Sequence, residues 1–85
     1  MTVQFHRNFK KQFKKLPVPI QNKFLTRLDL FLDNPAHPTL RVHTLRGSRY
    51  PLQSFNVTSD YRALFIVSDT IVTFYEIGTH GQLYQ

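Results

Sequence analysis

Three apolar-rich runs, residues 52–58, 61–67 and 71–77, follow one another with only Ser59-Asp60 and Ser68-Asp69-Thr70 between them. Links of two or three residues are too short for a crossover, so the runs are expected to form an antiparallel meander. Alternation then sorts the side chains of the middle run. Tyr61, Ala63, Phe65 and Val67 fall on one face, with Arg62, Leu64 and Ile66 on the other. An arginine in an otherwise apolar strand needs an anionic partner or a route to water. In the run before it, Gln53, Phe55 and Val57 alternate with Leu52, Ser54, Asn56 and Thr58, which puts a polar row beside the middle strand.

Upstream, Val3 and Phe5 alternate with Thr2 and Gln4, predicting a short strand over 2–5. Phe5, Phe9, Phe13 and Leu16 then recur at intervals of four, four and three, one stripe of a helix, while Arg7, Lys10, Lys11, Lys14 and Lys15 take the rest of its circumference. That basic surface is either a phosphate-binding face or a solvated helix exterior. Pro17 and Pro19 break the helix, and Pro19 suits the first turn of a second one, where a missing N–H costs nothing. Ile20, Phe24, Leu28, Phe31 and Leu32, widened by Leu25, continue the pattern to Asp33, predicting a helical hairpin. Asn34-Pro35-Ala36-His37-Pro38 ends it. Residues 40–45 alternate as a strand, and 46–49 read as a turn into the meander. The expected fold is α+β, in the order β-α-α-β-β-β: a helical hairpin packed on one face of a small, twisted, mainly antiparallel sheet, its other face left open. A chain of 85 residues supports one core, so residues 1–85 are read as a single domain.

Charge narrows the partners. A net charge of +6 and a pI near 10.1 on so short a chain favour nucleic acid, anionic lipid or an acidic protein. The absence of cysteine excludes disulfides and thiolate metal sites. His6 and His37 have no partner at metal-ligand spacing, so neither a zinc site nor another cofactor is expected. The N-terminus shows no apolar signal core and no run long enough to span a bilayer, from which a soluble, cytoplasmic protein with no membrane partner is expected. At the other end, Gly78-Thr79-His80-Gly81 sets an imidazole between two glycines, which are expected to let the chain bend sharply and present His80. Such a histidine either serves as a general acid or base or only bonds its own loop.

The series His43-x-Leu45-x-Gly47, Asp60-Tyr61-Arg62 and Gly78-Thr79-His80-x-x-Leu83-Tyr84, on a basic chain with a helical hairpin, resembles the RelE/ParE superfamily of bacterial toxins, and within it the YafQ-like ribonucleases. The resemblance covers essentially the full chain in element order, and its C-terminal Gly-Thr-His-x-x-Leu-aromatic ending is the most specific part. It implies a toxin of a type II toxin–antitoxin system, an endoribonuclease that cleaves messenger RNA on the ribosome. It also implies a cognate acidic antitoxin, partly disordered, and contact with DNA only through the antitoxin complex. Metal-free RNA cleavage needs a base for the 2′-hydroxyl, positive donors on the phosphorane and an acid for the departing 5′-oxygen. On the matched positions, His43 and His80 are acid and base in either order, Arg62 steadies the scissile phosphate, Asp60 is an active-site acid and Tyr84 stacks on or orients a base. Arg46 and Arg49, with Lys10, Lys11 and Lys14, are the expected RNA contacts.

Two positions depart from the YafQ-like pattern. Asn56 stands where those proteins carry a histidine and Glu76 where they carry an arginine; Glu76 is read either as a base or, the preferred reading from alternation, as the partner of Arg62 across the sheet. Two other readings therefore stand beside the ribonuclease. ParE-type members of the superfamily poison DNA gyrase by binding, and a chain lacking two contributors could be an inactive RNA- or antitoxin-binding module. Paired imidazoles favour the enzyme, because a pure binder has little use for them.

Overall fold

All eight phenylalanines of the chain meet in one cluster, and the secondary structure is arranged around it. The structure, a computed structural model, describes residues 1–84. Its elements are β1 (Thr2–Phe5), α1 (Arg7–Lys14), α2 (Val18–Asp33), β2 (His43–Thr44), β3 (Gln53–Asn56), β4 (Tyr61–Ser68), β5 (Ile71–Thr79) and α3 (His80–Leu83), with 3-10 turns at Pro38–Leu40 and Gly47–Arg49. The sheet runs β1-β5-β4-β3-β2, with β1 parallel to β5 and every other pair antiparallel. The expected meander forms β3, β4 and β5, and the helical hairpin follows β1 in the chain and packs on one face of the sheet.

One face of the sheet carries Phe55, Val57, Ala63, Phe65, Val72, Phe74 and Ile77, and against it pack Phe9 of α1 and Phe24, Leu28 and Phe31 of α2. Phe74 and Ile77 are three apart and could not both face the helices on an unbroken strand. A register shift resolves this: Leu64 pairs with Glu76 but Phe65 with Phe74, leaving Tyr75 as the extra residue of a bulge. Beyond the bulge Gln12 of α1 reaches the strand, its Oε1 accepting the Ile77 amide at 2.8 Å. His6 caps α1, its Nδ1 accepting the Asn8 amide at 3.0 Å, and Pro19 occupies the first turn of α2.

The sequence reading is corrected at four places. Leu25 and Leu32 lie outside the buried stripe of α2, 49% and 40% exposed, because Phe24, Leu28 and Phe31 already fill the space over the sheet. Residues 40–45 do not form a six-residue strand. Pro38 starts a 3-10 turn, Arg41 takes a left-handed conformation at φ 50°, and only His43 and Thr44 pair with β3. The run 52–58 contributes only Gln53–Asn56, since Thr58 leaves the ladder and its hydroxyl accepts the amides of Asp60 and Tyr61. Finally, the chain does not bend between two glycines around His80. Neither Gly78 nor Gly81 has a positive φ, and His80 is the first residue of α3, whose N-cap Thr79 and Gln82 form a reciprocal capping box. This short helix crosses the sheet face that was expected to be open, burying Leu83 with Leu45 and Leu64.

Candidate active site

Strand register places the polar residues in two rows on the α3 side of the sheet. His43 of β2 lies opposite Ser54 of β3, Ser54 opposite Leu64 of β4, and Leu64 opposite Glu76 of β5. In the next row Asn56 faces Arg62, which faces Gly78. Having no side chain, Gly78 leaves room for Gln82: a Cβ there would come within 2.8 Å of Gln82 Oε1. Between these rows, the segment leading through β2 and the helix α3 is a cavity of about 490 Å³ lined by Arg41, His43, Thr44, Leu45, Arg46, Asn56, Arg62, His80 and Tyr84. Three guanidiniums and two imidazoles line it, and among the described residues no carboxylate side chain does.

Each functional side chain is held by a different device. The left-handed turn at Arg41 brings its carbonyl oxygen within 2.9 Å of His43 Nδ1. A carbonyl only accepts, so Nδ1 carries the proton and the neutral ring keeps its lone pair on Nε2. Arg62 is anchored through Nη1, which donates to the carbonyls of Thr58, Ser59 and Tyr61 at 3.1, 2.8 and 3.3 Å. Those three carbonyls leave Nη2 and Nε available to an anion. His80 is fixed through its backbone, whose amide donates to the Asp60 carbonyl at 2.9 Å, and its ring lies 4.5 Å from that of Tyr84 at an angle of 59°. Tyr84 rests on the Leu45, Leu64 and Leu83 cluster, its hydroxyl donating to the buried Ser54 Oγ at 3.4 Å. Tyr84 therefore both covers a core and presents a ring to the cavity.

Of the residues named from sequence, His43, Arg62, His80, Tyr84 and Arg46 come together here, while Asp60, Arg49, Lys10, Lys11 and Lys14 do not line the cavity. Asp60 sits exposed in the β3–β4 turn and serves α3 through its main-chain oxygen. Arg49 is engaged elsewhere: its Nη1 donates to Glu76 Oε2 at 2.6 Å and its Nε to the Leu83 carbonyl at 3.1 Å. The expected Glu76–Arg62 pair is thus replaced by Glu76–Arg49, because Arg62 turns to the carbonyls of its own turn. Lys10 and Lys14 lie on the helical side of the sheet, flanking an apolar groove of about 310 Å³ lined by Phe5, Phe9, Phe13, Phe24 and Leu25. Arg41 was missed. Nothing in its neighbourhood announces a left-handed residue, which would favour glycine or asparagine. The capping box was overlooked, although Thr79-x-x-Gln82 carries its signature. Among the described residues no group of three or more His, Cys, Asp or Glu is placed to hold a metal ion, and no helix is long and apolar enough to cross a membrane.

The small α+β scaffold is that of solved toxin structures. YafQ from E. coli strain BL21(DE3) superposes with a TM-score of 0.84 at 21% identity, over 98% of this chain and 97% of that one. YafQ in the E. coli DinJ-YafQ toxin-antitoxin complex gives 0.80 at 21% identity, covering 98% and 96%. The archaeal RelE-RelB complex from Pyrococcus horikoshii OT3 gives 0.75 at 22%, covering 95% and 96%. No protein of curated function matches the sequence. The model of the ParE toxin of type II toxin-antitoxin system, parDE, matches residues 3–84, and the chain belongs to that family, within the RelE/ParE superfamily and with a YafQ-like fold.

Proposed function

We propose that this toxin is an endoribonuclease that cleaves messenger RNA on the ribosome without a metal ion. The observation that carries the reading is the cavity itself, where two imidazoles and three guanidiniums converge with no carboxylate side chain among the described residues that line it. His43 Nε2, left with its lone pair by the Nδ1 contact to Arg41, takes the proton of a ribose 2′-hydroxyl. The 2′-oxygen attacks the adjacent phosphorus, Arg62 with Arg46 and Arg41 balances the charge of the phosphorane, and the bond to the 5′-oxygen breaks. His80 protonates that oxygen, so the products are a 2′,3′-cyclic phosphate and a free 5′-hydroxyl. The Tyr84 ring supplies a surface on which a flanking base stacks.

The partner we infer is an acidic antitoxin. The Phe5, Phe9, Phe13, Phe24 and Leu25 groove with Lys10 and Lys14 beside it suits an amphipathic segment carrying apolar anchors and carboxylates, and relatives of this fold are found in DinJ-YafQ and RelE-RelB complexes. DNA contact then comes only through that partner. The family model bears the ParE name, which keeps gyrase poisoning as the second reading.

Mapping transcript 5′ ends after brief induction separates them. Wild-type protein is expected to give new 5′ ends, and His80→Ala or His43→Ala to give none while keeping the circular dichroism of the parent. Intact transcripts together with trapped, cleaved DNA in a supercoiling assay would replace the ribonuclease with the gyrase reading.

A further inference from the structure

A helix of four residues does not hold itself, because nucleation costs more than one turn of hydrogen bonds returns. Yet α3 begins with His80 and is closed by its C-cap Tyr84, both of which line the cavity. Its N-terminal end is secured by the capping box and by the Asp60 carbonyl. Its C-terminal end offers a carbonyl with no partner inside the helix, that of Leu83, and this oxygen accepts from both Nε and Nη2 of Arg49. Glu76 aims the fork: its Oε2 accepts from Nη1 at 2.6 Å, with the two side chains 19% and 31% exposed, the carboxylate being the more covered. Arg49 ends the 3-10 turn Gly47–Arg49, three residues after Arg46 and on the segment that returns to β2 through the Leu45 amide and the Leu52 carbonyl. One guanidinium therefore joins the wall bearing His43 and Arg46 to the wall bearing His80 and Tyr84.

We infer that Arg49 and Glu76 are positioning residues, a brace that fixes the gap between the two imidazoles. The inference deepens the ribonuclease reading and rests on it for its catalytic consequence. The mechanical consequence stands alone. The brace also explains how a carboxylate is tolerated on this face of the sheet: Arg49 neutralises Glu76 before it can oppose a phosphate, and Arg49 is turned from an RNA contact into a strut.

Glu76→Gln, Arg49→Lys and the double variant Arg49→Ala/Glu76→Ala test this by two readouts. In the absence of RNA, amide exchange at Tyr84, whose N–H bonds the His80 carbonyl, should accelerate about tenfold or more while Phe65 and Phe74 keep their protection. On an RNA oligonucleotide, kcat should fall by about a hundredfold with KM changed by less than about threefold, and the double variant should be no worse than the poorer single one. Unchanged exchange in α3 across all three variants would overturn the brace, whatever happens to RNA. A raised KM at constant kcat in Arg49→Lys would overturn it too, marking Arg49 as a direct phosphate contact. If the parent protein cleaves no RNA, accelerated exchange still supports the brace and only the ribonuclease reading fails.

Discussion

A Cβ at position 78 would lie 2.8 Å from Gln82 Oε1, the same oxygen that accepts the Thr79 amide. Gly78 is thus present for close approach, not for an unusual backbone angle. Gly78→Ala is expected to expel the Gln82 amide, open half of the capping box and cost about 1 kcal/mol of stability, measured by urea unfolding, with faster amide exchange at Gln82. The same scale shows what can be read from residue order. The polar row with Ser54 and Asn56 beside the middle strand was legible because strands alternate with period two, and His80 because a histidine follows the last strand. The Arg49–Glu76 pair was not legible. Arg49 lies in a 3-10 turn whose direction no periodicity specifies, so alternation along the sheet points instead to Arg62 as the partner of Glu76.

At the level of elements, the helical hairpin and the strands share a single aromatic contact network, with Phe24 of α2 touching Phe5, Phe9, Phe13, Phe55 and Phe74. Phe24 is 1% exposed, so Phe24→Ala removes the ring that joins β1, α1, β3 and β5. The expected loss is about 3–5 kcal/mol, a large part of the roughly 5–15 kcal/mol that holds such a domain together. Thermal unfolding of the variant, compared with the exposed control Leu25→Ala, checks this: the control should shift far less. Periodicity made the hairpin and the meander readable in advance. It could not anticipate the bulge at Tyr75, which exists so that Phe74 and Ile77 both reach this cluster, or the shortness of β2, which follows from the turn at Pro38–Leu40 and the left-handed Arg41.

Seen as a whole molecule, the cations divide between two sides of the sheet. Arg41, Arg46 and Arg62 line the cavity under α3, whereas Lys10 and Lys14 border the phenylalanine groove on the helical side. The net charge of +6 therefore does not describe one continuous RNA track. If single-stranded RNA engages only the three cavity arginines, the logarithm of its binding constant should fall with the logarithm of salt concentration at a slope of about −2, and a slope of about −3.5 would mean that Lys10 and Lys14 bind RNA as well. Fluorescence anisotropy with a cleavage-resistant 2′-O-methyl oligonucleotide at mildly alkaline pH gives that slope. The double reversal Lys10→Glu/Lys14→Glu supplies the complementary measurement. It should leave the RNA slope and the cleavage rate nearly unchanged, while slowing association with an acidic antitoxin by about tenfold or more at low salt, because steering depends on the charge that borders the groove. An antitoxin seated there lies across the sheet from the imidazoles. It must send a further segment around the sheet edge to silence them, so a truncated partner covering the groove alone should bind and leave cleavage running.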